Sequence, residues 1–151
     1  MKSMPRMLAL ISVVGLLISL VGCGGLSEYE QERLDNLNSA VDEFNPESIS
    51  EVLCDVSGGE VALKTGFTRL IVFAGADSWQ PAVDRLMTLG YSGTTDAPFL
   101  TASRSDGLFV ASRLIERPGS EPELEEHLTN NGCMVPSNGA VAVQFEEGPS
   151  A

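Results

Sequence analysis

Residues 7–21 form an uncharged apolar run of 15 residues, dominated by Leu, Ile, Val, Met and Ala and interrupted only by Ser12, Gly15 and Ser19. Lys2 and Arg6 precede it with no acid among them, and Gly22 and Cys23 follow. A basic start, a short apolar stretch and small residues at its end are the pattern of a secretory signal. The run falls short of the roughly 20 apolar residues that a spanning helix needs. It therefore takes the first 22 residues out of the fold and leaves 129, residues 23–151. That length suits one domain with enough chain for a real core.

The end of the run narrows the reading. An ordinary signal closes on an A-x-A-like site, whereas here Leu20-Val21-Gly22 leads straight into Cys23. These four residues resemble the lipobox of bacterial lipoproteins; the resemblance covers residues 1–23 only, and all four positions fit. In that family the cysteine thiol takes a diacylglycerol, a dedicated peptidase cuts before it, and the new amino group can be acylated as well. The resemblance implies that residues 1–22 are removed and that Cys23 becomes the lipidated first residue. Residues 23–27 then form a short tether, and the covalent lipid on Cys23 is the one attached group expected. Each buried CH₂ adds about 0.8 kcal/mol, so two or three acyl chains hold a protein stably where one does not. Gly24 stands where an aspartate would alter sorting. The family's habit then implies the outer membrane in a cell with two membranes, and the outer face of the plasma membrane in a cell with one. The alternatives are an uncleaved signal anchor or a plain secreted protein with a cysteine at this place.

Lys2 and Arg6 are the only charges before Cys23. From Cys23 onward seven basic residues face all 21 acidic ones, a formal charge of −14. Such a surface repels phosphate backbones, which excludes nucleic acid as a partner. It also repels anionic headgroups. A cationic partner would suit it, and so would a plain role in solubility.

Lipidation would use Cys23 and leave Cys54 and Cys133. An even pair in an oxidising compartment is expected to form a disulfide. It would close a loop of about 80 residues, for a stabilisation near 4–5 kcal/mol before strain is subtracted. Two separate thiols are the alternative. With one histidine in the chain, a zinc site is not expected.

Ser27 and Glu30 form a capping box, which opens a helix to Phe44 with Leu34, Leu37, Val41 and Phe44 on one face. Asn45-Pro46 reads as the start of a second short helix through Cys54 that buries Ile49, Val52 and Leu53. Residues 60–64 suggest a short strand, and 67–74 a stronger, central one. Asp77 or Ser78 is expected to cap a helix to Leu89, with Trp79, Val83, Leu86 and Met87 on one side and Gly90 at its left-handed end. Residues 91–98 read as a polar loop. Residues 99–103 and 108–115 read as a hairpin about Asp106-Gly107. Ser120 and Glu123 suggest a second capping box and an acidic helix with Leu124 and Leu128, stopped by Asn131-Gly132. A last strand, 140–145, completes the chain's elements. This order predicts an α+β fold: an antiparallel β-sheet with helices packed on one face and one disulfide. The domain is expected to span 28–147, with 148–151 as a flexible tail.

His127 sits among Glu123, Glu125 and Glu126 and reads as a solvated residue rather than a catalyst, although acids around it would make it responsive to pH. Asp77-Ser78-Trp79 lacks the G-x-S-x-G spacing of a nucleophile elbow. Trp79 is read as core, with a ligand groove as the weaker alternative. The acids at 121–126 suit a helix start and lack the spacing of a calcium loop. The functional expectation is a membrane-anchored, non-enzymatic binding or accessory module of the cell envelope. Its partner would be cationic or another envelope protein. The alternatives are an envelope-acting hydrolase using two carboxylates, and an acidic inhibitor or immunity-type protein.

Overall fold

Ser27 caps the first helix as its spacing with Glu30 demands. Its hydroxyl accepts from the Glu30 amide at 3.2 Å, and the Glu30 carboxylate accepts from the Ser27 amide at 2.8 Å. The computed structural model describes residues 26–58 and 66–147. Helix α1, Glu28–Phe44, buries Leu37, Ala40, Val41 and Phe44. Asn45, with φ at 51°, turns the chain out of it.

The second helix expected through Cys54 does not form. A single 3-10 turn, Pro46–Ser48, leads instead to strand β1, Val52–Gly58. Asn45 closes α1, and its side chain does not cap the 3-10 turn. Val52-Leu53-Cys54-Asp55-Val56 pairs with the next strand, where β-branched residues pack well on a pleated surface. The strand expected over 60–64 lies outside the described residues.

Strand β2, Thr68–Ala74, pairs on both sides and buries Leu70 to Phe73. A short 3-10 turn, Ala76–Ser78, leads into α2, Trp79–Thr88. Neither Asp77 nor Ser78 caps this helix; the Ser78 hydroxyl donates back to the Ala74 carbonyl at 2.7 Å. Gly90 takes the left-handed position expected of it, with φ at +86°. Residues 91–98 are not a loop: strand β3, Ser92–Asp96, pairs with β4, Phe99–Ser103. Every residue of β3 is exposed, so no apolar alternation marks it.

The hairpin of β4 with β5, Leu108–Ile115, turns at Asp106-Gly107 as expected. Helix α3, Pro122–Asn130, starts differently from the expected box. The Glu125 carboxylate accepts from the Gly119 and Glu121 amides, and Ser120 turns its hydroxyl to the Arg117 carbonyl. Strand β6, Ala140–Glu147, completes the fold and runs two residues beyond the expected strand.

The six strands lie in the order β1-β2-β6-β5-β4-β3, with every neighbouring pair antiparallel. The architecture is α+β. Alternate residues of β2 separate its two faces. Ile71 and Phe73 join Phe44, Leu86, Val110, Val143 and Phe145 beneath α1 and α2. Leu70 and Val72 join Ile115, Leu128 and Ala142 on the other face. One-sided helix packing thus describes α1 and α2, while α3 adds a smaller cover opposite. Cys54 on β1 and Cys133, just past α3, lie at disulfide distance with their Cα atoms 5.8 Å apart. The pair ties the end of α3 to the β1 edge, because residue 54 sits on a strand rather than at the end of a helix.

Candidate functional site

Among the described residues, the second sheet face is only half covered. Register sets its residues in rows across the strands. One row runs Thr101, Ala111, Gln144, Leu70. The next runs Phe99, Arg113, Ala142, Val72. Helix α3 stands over the β2 end of these rows, where Leu128 is buried and Leu124 partly so. Toward β4 the small side chains of Ala111 and Ala142 leave a groove of about 290 Å³ between Leu124 and Phe99.

Arg113 builds the wall of this groove. Its guanidinium lies 4.3 Å from the centroid of the Phe99 ring and donates to the Glu121 carboxylate at 2.8 Å. Stacking on an aromatic face and pairing with a carboxylate are both properties of a planar, delocalised cation. The pair fixes the first turn of α3 to β5. Phe99 stays 45% exposed, one of four large apolar side chains so placed among the described residues. The amide of Gln144 donates to the Glu146 carboxylate in the row's margin. The site offers an apolar floor, one aromatic ring, one guanidinium and polar groups at Thr101 and Gln144. That set can hold an apolar side chain or small ligand and orient it by hydrogen bonds.

A second cavity, of about 210 Å³, lies between α1 and the Gly58–Thr68 end of the β1–β2 pair, with Leu34, Asn38, Phe67 and Arg69 in its wall. Arg69 is already engaged: it donates to both Asp55 oxygens, at 2.9 and 2.6 Å, and to Asn38 at 3.0 Å. Its hydrogen bonds to Asp55 raise its pKa further above the ordinary arginine value. Among the described residues, neither of these two cavities has an Asp or Glu in its wall.

The residues singled out from sequence do not converge on the groove. Cys23 lies outside the described residues. Cys54 and Cys133 meet on the second face, at the β1 edge. Trp79 begins α2 and packs against the core of the first face; neither cavity includes it. His127 is exposed, with no ion pair among the described residues. No group of three or more His, Cys, Asp or Glu that could hold a metal occurs among the described residues. Compared with protein-family models, with curated proteins and with solved structures, the chain finds no match.

Proposed function

We propose that this chain is a lipid-anchored extracytoplasmic protein whose domain serves as a non-enzymatic binding or accessory module of the cell envelope. The observation that carries the reading is Leu20-Val21-Gly22-Cys23 at the end of an apolar run, four residues before the Ser27 cap where the folded domain begins. The cysteine pair Cys54 and Cys133 at disulfide distance supports an oxidising compartment. Among the described residues no helix is long and apolar enough to cross a membrane. The groove by Phe99 and Arg113 is the surface this reading assigns to binding. A carboxylate hydrolase, the alternative reading, would need two acids facing each other across a cleft.

The test is the mass of the protein recovered from bacterial membranes after expression of the full chain. A peptide beginning at Cys23 and carrying a thioether-linked diacylglycerol supports the anchor. Loss of membrane attachment in Cys23→Ser supports it too. Recovery of residues 1–22 on the mature protein, or an unmodified Cys23, overturns it. Cross-linking in those membranes, read by mass spectrometry, then names what the domain captures.

A further inference from the structure

We infer that Leu26 and Tyr29 form a membrane-seating surface, so that the domain stands on the bilayer through the first turn of α1. This inference rests on the lipid-anchor reading and adds to it an orientation. Four peptide steps separate Cys23 from Ser27, a reach of about 14 Å when fully extended. With the acyl chains of Cys23 in the bilayer, Ser27 stays within that distance of the headgroups. The first turn of α1 is therefore the described part of the domain that is held nearest the lipid.

That turn carries apolar surface the fold does not use. Leu26 is 37% exposed and Tyr29 54%. They are two of the four exposed large apolar side chains among the described residues, and they flank the tether. A tyrosine suits the headgroup level, where one end of its ring is apolar and the other wet. Arg33, one turn on, lies 5.6 Å from the Tyr29 ring centroid and pairs with Glu147 at the end of β6. The ring thus sits beside a side chain already tied to the sheet. Glu28, Glu30 and Glu32 surround the same turn, so the favoured surface is zwitterionic rather than anionic lipid.

The contacts of α1 give the direction of the rest. Arg33 meets Glu147, Asn38 meets Arg69, and Phe44 meets Phe73. The helix therefore runs along β2 from its Thr68 end toward its Ala74 end. Its 17 residues span about 25 Å. The Ala74 end of the sheet, with Trp79 a few residues beyond it, stands away from the membrane.

The chain contains a single tryptophan, Trp79, which serves as the distal reporter. The experiment uses the lipidated full chain, its Cys23 adduct checked by mass, in phosphatidylcholine vesicles with and without brominated acyl chains. Wild-type emission from Trp79 is expected to be unchanged by bromine. Tyr29→Trp adds a second emitter, and that added emission is expected to fall by about half or more in brominated vesicles. Leu26→Ser combined with Tyr29→Trp is expected to weaken the quenching. Equal emission of Tyr29→Trp in both vesicles overturns the orientation, as does equal quenching of Trp79. Protection of residue 29 by raising protein concentration, without quenching, assigns the patch to a second copy and overturns it too. An unlipidated Cys23 is detected beforehand and refutes the anchor itself, so the two failures are distinct.

Discussion

The guanidinium of Arg104 lies 5.1 Å from the centroid of the Tyr91 ring, while the Tyr91 hydroxyl is buried and finds no hydrogen-bond partner among the described residues. Arg104 also donates to Glu43 on α1 at 2.7 Å and to Asp106 in the hairpin turn at 2.9 Å. The ring is well used, packing edge-on against Phe145 at 6.3 Å. Only its oxygen is unpaired. An unsatisfied buried polar group costs about 1–3 kcal/mol, whereas removing it leaves the packing in place. Tyr91→Phe is therefore expected to stabilise the protein by about 0.5–1 kcal/mol in urea unfolding. Burial also pushes the Tyr91 phenol above its ordinary value. The unfolded state then loses this proton first, so stability falls as pH rises beyond about 10. The gain from Tyr91→Phe should widen there. A loss of stability in this variant at neutral pH would mean that the hydroxyl has a partner.

Two carboxyls contribute to the change of stability in acid. Hydrogen bonding to Arg104 holds Asp106 below its ordinary value, and the Ser27 amide and hydroxyl do the same for Glu30. Both folded values lie below the unfolded ones. Their contributions are therefore complete above about pH 4–5 and are lost as pH falls through the folded values. Carboxyl titrations followed by NMR should place both midpoints below those of unfolded peptides. Arg104→Met should move the Asp106 midpoint upward and leave Glu30 where it was. An unmoved Asp106 would remove the assigned cause.

Cys54 and Cys133 are 79 residues apart in sequence. A crosslink over that span constrains the unfolded chain by about 4–5 kcal/mol in the chain-entropy treatment. Cys133 is also 2% exposed beside Leu128, so the bridge holds α3 on the second face. Dithiothreitol is expected to lower the urea midpoint of the wild type and leave that of a Cys54→Ala/Cys133→Ala protein unchanged. Hydrogen exchange after reduction should rise first in α3, whose attachment otherwise depends on Leu128, Leu124 and the Arg113–Glu121 pair. Uniform acceleration across α1 and α3 would contradict this local role.

The parts that were legible in sequence carry local signals. Ser27 with Glu30 marks α1, Asp106-Gly107 marks the hairpin, and the dense run at Leu70 to Phe73 marks the central strand. Where two local signals compete, tertiary pairing decides. Asn45-Pro46 suits a helix start, yet Asn45 is spent closing α1, and β1 gains more from β2 than from a helix. Ser120 and Glu123 have capping-box spacing, but Glu125 reaches the free amides instead. β3 carries no apolar period because both its faces meet water. The groove was invisible for a different reason. Ala111 and Ala142 are ordinary strand residues, and only the register of β4, β5 and β6 sets them in adjacent rows beside Phe99 and Arg113.

That origin makes the groove testable without disturbing the fold. Ala111 is half-buried at its floor, beside Thr101 and Gln144 in the same row. Ala111→Leu adds volume where the cavity already has room, so stability is expected to change by less than about 1 kcal/mol. The branched side chain would occupy the space between Leu124 and Phe99 that a bound group needs. Arg113→Met acts on the wall: it removes the Glu121 pair while keeping apolar contact with Phe99. If the groove is the binding surface, Ala111→Leu should abolish the cross-linked species captured in membranes, and Arg113→Met should reduce it. Full capture by Ala111→Leu would move binding away from this face, and the cavity beside Leu34 and Arg69 would be the next surface to block.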